Sequence, residues 1–413
     1  MRIAVVGSGI AGLTCASRLA ERHELTVYES ADRCGGHTHT HDIELGARHY
    51  AIDSGFIVFN DRTYPNFIAL LNQHQVASQT TDMSFAVSCR TSGLEYNGHN
   101  LDTLFAQRRN IVNPRFLRML RDILRFNREA PGILSSGDSD ESLGDYIERH
   151  AYSAGFRDDY LLPMAAAIWS ADPALIAAMP MLFFVRFFAN HGLLTVTDHP
   201  QWRVIRGGSR EYVSALTRPF ADRIRVGCGV SRIERSTSGV TVHAAAGSSE
   251  TFDQVILACH SDQALGMLAD PSPEECQILG AIPYRSNHAV LHTDSTVLPR
   301  IRRAWAAWNY TRDPAGASVS YNMNLLQGIS APDTFIVTLN PTGDIREDLM
   351  LAEVEYHHPV FTAAGVAAQR RWHEINGTRR TWYAGAYWGY GFHEDGVNSA
   401  LRVADAMQQL ERP

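Results

Sequence analysis

From residue 2 the chain runs Arg-Ile-Ala-Val-Val6, then Gly7-Ser-Gly9-Ile10-Ala11-Gly12, then Leu13 to Arg22, then Leu25 to Tyr28, and reaches Glu29. This stretch constrains the fold more than any other. A β-branched run followed at once by three glycines at this spacing predicts a strand, a tight turn, a helix with small residues on one side, and a second strand. Each glycine has its own task. Gly7 permits the turn, Gly9 lets backbone approach a pyrophosphate, and Gly12 lets the helix lie close to the strand. The amides at the start of that helix, including Ile10 and Ala11, and its partial positive charge suit phosphate oxygens. Glu29 stands 20 residues after Gly9. A carboxylate there accepts hydrogen bonds from both ribose hydroxyls and repels a 2′-phosphate, so the expectation is a dinucleotide site that disfavours NADP.

The 413 residues exceed what one compact core holds, so two structural units are expected. With a net charge of −7, a nucleic-acid footprint is not expected. All 37 basic residues are arginine, which removes every mechanism that needs a lysine amine. The six cysteines, at 15, 34, 89, 228, 259 and 276, form no CxxC pair. That pattern argues against zinc or a disulfide framework and fits a reducing cytosol. A strand starting at residue 2 leaves no room for a signal peptide. The longest apolar stretch, Met164 to Leu194, is interrupted by Asp172, Pro173, Pro180 and Arg186 and is not an ordinary membrane span. The expected location is the cytoplasm, with peripheral contact at the inner membrane face left open.

Three further segments belong with the first. After Glu29 and Ser30 come Arg33, Cys34, Gly35, Gly36, His37 and Thr38, then Ile52-Asp53-Ser54-Gly55-Phe56. In the middle stands Ile205-Arg206-Gly207-Gly208-Ser209, followed by a helix beginning near Glu211. Strands are expected over 223–230, 239–243 and 252–258. Near the end runs Ala384-Gly385-Ala386-Tyr387-Trp388-Gly-Tyr390-Gly391-Phe392-His393-Glu394-Asp395-Gly396-Val397. Together these resemble the flavin amine oxidase, protoporphyrinogen oxidase and phytoene desaturase superfamily.

The resemblance implies an α/β fold: a Rossmann-like FAD-binding domain of the two-dinucleotide-binding type with an α+β substrate domain. It implies FAD as cofactor. Ser30, Arg33, Gly35, Gly36 and His37 would lie along the pyrophosphate and ribitol, where many members have arginine in place of His37. Asp53, Gly55 and Phe56 would pass near the flavin, and Val230 would meet adenine through its backbone. Gly385, Ala386, His393, Glu394, Asp395, Gly396 and Val397 would close over the ring, the last helix presenting amides to the flavin's pyrimidine carbonyls. The FAD domain would be assembled from 1–60, 201–284 and 371–413, and the substrate domain from 61–200 and 285–370.

The substrate segments are read as follows. The first is mainly helical by pattern: Phe116, Leu120, Ile123 and Leu124 share one helix face, and Arg118, Arg121, Arg125 and Arg128 another. The arginine stripe is either a solvated face or one that meets an anionic membrane surface or a substrate carboxylate. Residues 165–194, with Ile168, Trp169, Met179, Met181, Leu182, Phe183, Phe184, Phe187 and Phe188, form either core or the wall of an apolar tunnel. Strands at 305–310, 318–323 and 334–339 are expected to lie side by side over the flavin. His37, His39 and His41 alternate, and His357 and His358 are adjacent, but no Cys or carboxylate set completes a metal pattern.

The superfamily's amine oxidases commonly hold a lysine near flavin N5, which this chain lacks, and often cage the substrate between two aromatic rings. Phe392 matches one cage position; the second has no match in the sequence. Phe56-Ile-Val-Phe-Asn60, Trp202-Arg203, Asn322-Met-Asn324 and Gly391–Gly396 are similar to a bacterial subfamily of NAD/FAD-binding, amine-oxidase-like proteins associated with cyclopropane-fatty-acid-synthase-like methyltransferases. That likeness implies a small-molecule or lipid substrate, an unsaturated or methyl-branched acyl chain, and hydride removal from carbon. His393, Glu394 and His37 are the candidates for catalytic groups near the ring. Amine oxidation at a non-standard site, and a flavin-binding, non-catalytic partner of a lipid methyltransferase, are the alternatives.

Overall fold

The computed structural model describes residues 1–135, 141–195 and 198–410. The opening strand, Arg2–Val6, lies in the middle of a five-stranded parallel sheet. The order is Ile224–Arg225, Glu24–Tyr28, Arg2–Val6, Gln254–Leu257, Thr381–Tyr383. Ile3, Ala4 and Val5 are fully buried, as central strands covered on both faces must be. One face is covered by the first helix, Ile10–Leu19, and the last, His393–Leu410. The two helices touch where a Cβ on Gly396 would come 2.7 Å from the Ile10 side chain. That contact brings the two helix N-termini together at one end of the sheet.

Two expected strands break differently. Only Ile224–Arg225 of the 223–230 run pairs with the parallel sheet before the chain turns at Gly227, which has φ +62°. The 252–258 run divides at Asp253: Ser249–Phe252 completes an antiparallel sheet with Val230–Arg235 and Val240–Ala244, while Gln254–Leu257 enters the parallel one.

A seven-stranded sheet forms the second layer, ordered Met350–Pro359, Tyr284–His292, Ile336–Leu339, Gly316–Asn322, Trp308–Asp313, Phe85–Cys89, Leu94–Asn97. Its three middle strands are the side-by-side set expected over 305–339. The segment expected to be mainly helical therefore also contributes Phe85–Cys89 and Leu94–Asn97. The first of these pairs parallel with Trp308–Asp313. Such a pairing between distant segments leaves no local trace in sequence. The small sheet of Val58–Asn60, Trp202–Ile205 and Ser78–Thr80 joins stretches expected to part at 60/61 and 200/201. Helices Pro114–Glu129, Leu162–Trp169 and Met181–Asn190 pack in the largest core, with the seven-stranded sheet. No helix among the described residues is long and apolar enough to cross a membrane.

Candidate active site

A cavity of about 690 Å³ opens between the ends of the parallel strands and the seven-stranded sheet. Its first half is backbone. Gly7 has φ +103°, and a Cβ there would lie 2.7 Å from the Ala258 carbonyl oxygen. A Cβ on Gly12 would overlap the carbonyl oxygen of Gly7, so helix and turn can meet only with glycine at 12. Gly9 differs: a Cβ there would meet nothing within 4 Å, because it faces the cavity. The second glycine pair folds back on this turn. Gly35 N–H donates to the Ser8 carbonyl at 3.0 Å. A Cβ on Gly36, which has φ +59°, would sit 3.1 Å from Gly9 Cα. Two glycine turns thus make one continuous backbone surface on the wall. Ile10 and Ala11 beside it start a helix with no side-chain cap, leaving amides to face a ligand.

Glu29, 8% exposed, ends the second strand. It accepts from Ser8 N at 2.9 Å, Ser8 Oγ at 2.6 Å and Ala31 N at 2.9 Å, which hold the carboxylate at the cavity edge beside Ser30, Gly229 and Val230. Gly385 and Ala386 complete this half. The surface fits a dinucleotide by three observations: a backbone cradle with room above Gly9, uncapped helix amides, and His37 Nε2, buried on the wall with no partner among the described residues.

Several expected contacts do something else. Arg33 stays behind the turn, donating to the carbonyls of Thr38 at 2.8 Å and Gly36 at 2.9 Å. Gly55 and Phe56 reach the wall, but Asp53 does not. It is fully buried and accepts from Ser209 N and Oγ, Thr40 Oγ1 and Gln327 Nε2, pinning the Gly207-Gly208 turn to the substrate side. Burial pushes its carboxyl up to about 6 against these hydrogen bonds. Glu394 is off the wall as well. Its two oxygens accept from the amides of Asn66 (3.0 Å) and Phe67 (2.8 Å), capping helix Pro65–Gln73, so it is not available as a base. Asp395 accepts from Phe392 N at 3.0 Å beneath the turn, and burial lifts its carboxyl to about 7. Gly396 and Val397 pack inside, one on the first helix and the other in the core.

His393 reaches the wall, yet its Nε2 lies 3.1 Å from both Thr38 Oγ1 and Tyr212 Oη, and its ring stacks on Phe56 at 3.4 Å. Burial holds it neutral, well below the usual imidazole range. Its Nε2 is thus committed to the frame of the site. His37 stands among rings that sequence did not bring together: Tyr356 at 5.1 Å, His358 at 5.2 Å and His260 at 6.0 Å. Burial, then the neighbouring imidazole of His260, lowers His37 to about 4. His260 is lowered to about 4 and His358 to about 3, burial first in each case. Among the described residues no three potential ligands converge on a metal position.

The far half of the cavity is made of side chains. Ile168, Trp169, Trp308, Tyr321, Phe361 and Tyr390 line it, from separated elements. Of the apolar run at 165–194 only Ile168 and Trp169 reach the wall, with Ser170; the phenylalanines are core. The ring stacked on Phe392 is Phe187, at 5.2 Å and in the core, while Phe361 stands beside Gly391. Phe361 Cζ is 3.2 Å from where a Gly391 Cβ would be. Its position, on the far side of Pro359 after the last long strand, was not legible without the fold. Among the described residues the whole wall carries no arginine and a single carboxylate, Glu29, at the opposite end.

The family model described as flavin containing amine oxidoreductase matches residues 10–351. A Mycobacterium tuberculosis protein named as a flavin-containing monoamine oxidase, AofH, is 26% identical over 299 residues, covering 67% of this chain. The chain spans 61% of that relative's length. Among solved structures, cyclohexylamine oxidase from Brevibacterium oxydans superposes with a TM-score of 0.73 at 16% identity, covering 100% and 99% of the two chains. A fatty acid isomerase from P. acnes gives 0.70 at 14%, covering 100% and 99%. At such identities the structures establish the fold alone.

Proposed function

The chain belongs to the flavin-containing amine oxidoreductase family, and from that premise we propose that it is an FAD-dependent oxidoreductase acting on an apolar substrate, an unsaturated or methyl-branched acyl chain. The single observation that carries the substrate reading is the electroneutral far wall: aromatic and aliphatic side chains, with no arginine and no carboxylate among the described residues. An ammonium or carboxylate group brought there would lose its water and meet no opposite charge, only ring faces and a few O–H and N–H groups. An acyl chain loses nothing and gains from leaving water. The fatty acid isomerase among the structural neighbours supports the same kind of occupant.

FAD supplies the acceptor for a hydride from a substrate carbon. The chain's own residues hold and orient. The paired glycine turns and the first helix take the pyrophosphate, Glu29 the ribose, and Gly55, Phe56 and the Gly391–His393 turn flank the ring end. Trp169, Trp308 and Phe361 exclude water from the chain of the substrate. A desaturation also releases a proton; the neutral imidazoles of His37, His260 and His358 are the acceptors on the wall. A second reading, oxidation of an amine held between rings, is favoured by the aromatic faces on the far wall.

The test is anaerobic. The FAD-loaded protein is mixed with phospholipids carrying unsaturated or methyl-branched chains, and separately with a panel of amines, while flavin absorbance is followed. Bleaching by lipid and not by amines is expected. Bleaching by amines alone overturns the acyl reading in favour of the second.

A further inference from the structure

We propose that the outward face of helix Pro114–Glu129, with the turn Arg108–Val112 before it, docks on an anionic lipid surface. The helix buries Phe116, Met119, Asp122 and Phe126. On the opposite side Leu117, Arg121, Leu124 and Arg128 follow one another at spacings of four, three and four, which places them in one stripe along the axis. Sequence periodicity grouped Leu124 with Phe116, Leu120 and Ile123, but it is 55% exposed, and Leu117 is 42% exposed. At the helix's N-terminal end Ile111 and Val112 are 52% and 78% exposed. Arg108 and Arg109 adjoin them, and Arg108 donates to Asp102 and to the carbonyl of Phe105, tying the turn to the preceding helix Leu101–Leu104. Leu101 there is 76% exposed.

The charge on this face is predominantly positive, with Glu129 at the C-terminal end of the helix and Asp102 beside the turn as its acids. Residues 108–128 contain seven arginines and one acid, Asp122, in a chain of net charge −7, and Asp122 is buried and accepts from Ser153 N. Arg118 and Arg121 have no ion-pair partner among the described residues. Arg108 pairs with Asp102, Arg115 with Asp159, and Arg125 and Arg128 with Glu129. Exposed leucine, isoleucine and valine interleaved with arginine are what an interfacial helix presents to a charged bilayer: apolar groups enter the headgroup boundary while guanidinium groups stay at the phosphates. A nucleic acid or an acidic protein would use the arginines and leave the aliphatic groups in water. The face also offers no exposed aromatic ring for base stacking.

The inference stands on this surface and not on the substrate reading, and it is tested without turnover. The full-length, FAD-loaded protein is sedimented with phosphatidylcholine vesicles, with and without phosphatidylglycerol, at low and high salt. Binding only to phosphatidylglycerol vesicles, weakened by salt, is expected. R118Q and R121Q should each weaken partition roughly fivefold, equivalent to about 1 kcal/mol per charge at the surface. The double variant L117D/L124D should abolish it, with flavin absorbance and Tm unchanged. No binding to phosphatidylglycerol vesicles, or binding that neither set of substitutions alters, overturns the proposal. Binding to heparin or polyglutamate as strong as to vesicles, and indifferent to L117D/L124D, also overturns it and marks the face as a polyanion site.

Discussion

The two halves of the cavity are built from different materials. The cofactor half is backbone: glycines at 7, 9, 12, 35 and 36, helix amides and one carboxylate, nearly all within a single stretch of chain. The substrate half is side chains, drawn from a helix, two strands, the turn after the last long strand and the C-terminal turn. Backbone geometry tolerates almost no change, because a methyl group either fits or does not. A wall of packed rings accepts graded change. The same molecule should therefore respond abruptly to substitution at one end of its cavity and gradually at the other.

The sharpest test pairs Gly9 and Gly12, one residue before and two residues after Ile10, the first residue of the same helix. Gly12→Ala puts a methyl group on the Gly7 carbonyl, so the protein should fail to fold or lose about 3 kcal/mol or more, read by chemical denaturation. Gly9→Ala puts its methyl into open cavity; denaturation should be unchanged while FAD affinity falls at least roughly tenfold, about 1.4 kcal/mol. Equal loss of stability in both would break the distinction between packing glycine and cradle glycine.

Glu29→Gln comes next. It removes a charged acceptor that gathers Ser8 and Ala31 at the cavity edge and that the proposed function gives to the ribose. Titration of the apoprotein with FAD should show weakening of roughly ten- to a hundredfold, in line with about 1.5–3 kcal/mol for a charged hydrogen bond. Unchanged affinity would place the ribose elsewhere.

Between the halves stand the imidazoles. His37 and His260 titrate near 4 and His358 near 3 in the folded protein, all lowered from an ordinary value of 6.5. The unfolded chain therefore binds protons that the fold does not. While the raised carboxyls of Asp53 and Asp395 contribute the opposite slope up to about pH 7, the contribution of these imidazoles to stability should be constant above pH 6.5 and fall as pH drops from 6.5 toward about 3. His358→Gln should flatten that slope by up to about 1.4 kcal/mol per pH unit, measured from denaturation midpoints at pH 5 and 7.5. A parallel profile in the variant would mean that this imidazole is charged inside the fold.

The smallest effect is expected at the far wall. Trp308 Nε1 is buried without a partner among the described residues. Trp308→Phe should keep FAD and leave stability unchanged or slightly raised, since an unsatisfied donor is removed. The KM for an acyl substrate should rise less than tenfold. Loss of FAD from this variant would erase the division between the two halves.

The sequence by itself determined the cofactor half, down to individual glycines, because each task there is a local one: a turn, a close approach and a helix start occur within a few residues of one another. It also located the C-terminal turn that returns to the cavity. It went astray where a residue's partner is remote. Glu394 caps a helix 328 residues away in sequence, and Asp53 joins Ser209 and Gln327. His393 gives its nitrogen to Thr38 and Tyr212. Helical periodicity, which reports only one helix, grouped Leu124 with Phe116, Leu120 and Ile123 although no neighbouring element covers it. Tertiary structure alone decided that His37, His260 and His358 share one wall and that Phe361 stands beside Gly391. It also decided that the far wall carries no charge among the described residues. The physical reason is range: backbone cradles are specified by contacts between near neighbours in the chain, whereas the chemistry of the substrate wall comes from side chains that meet only after two sheets have closed on each other.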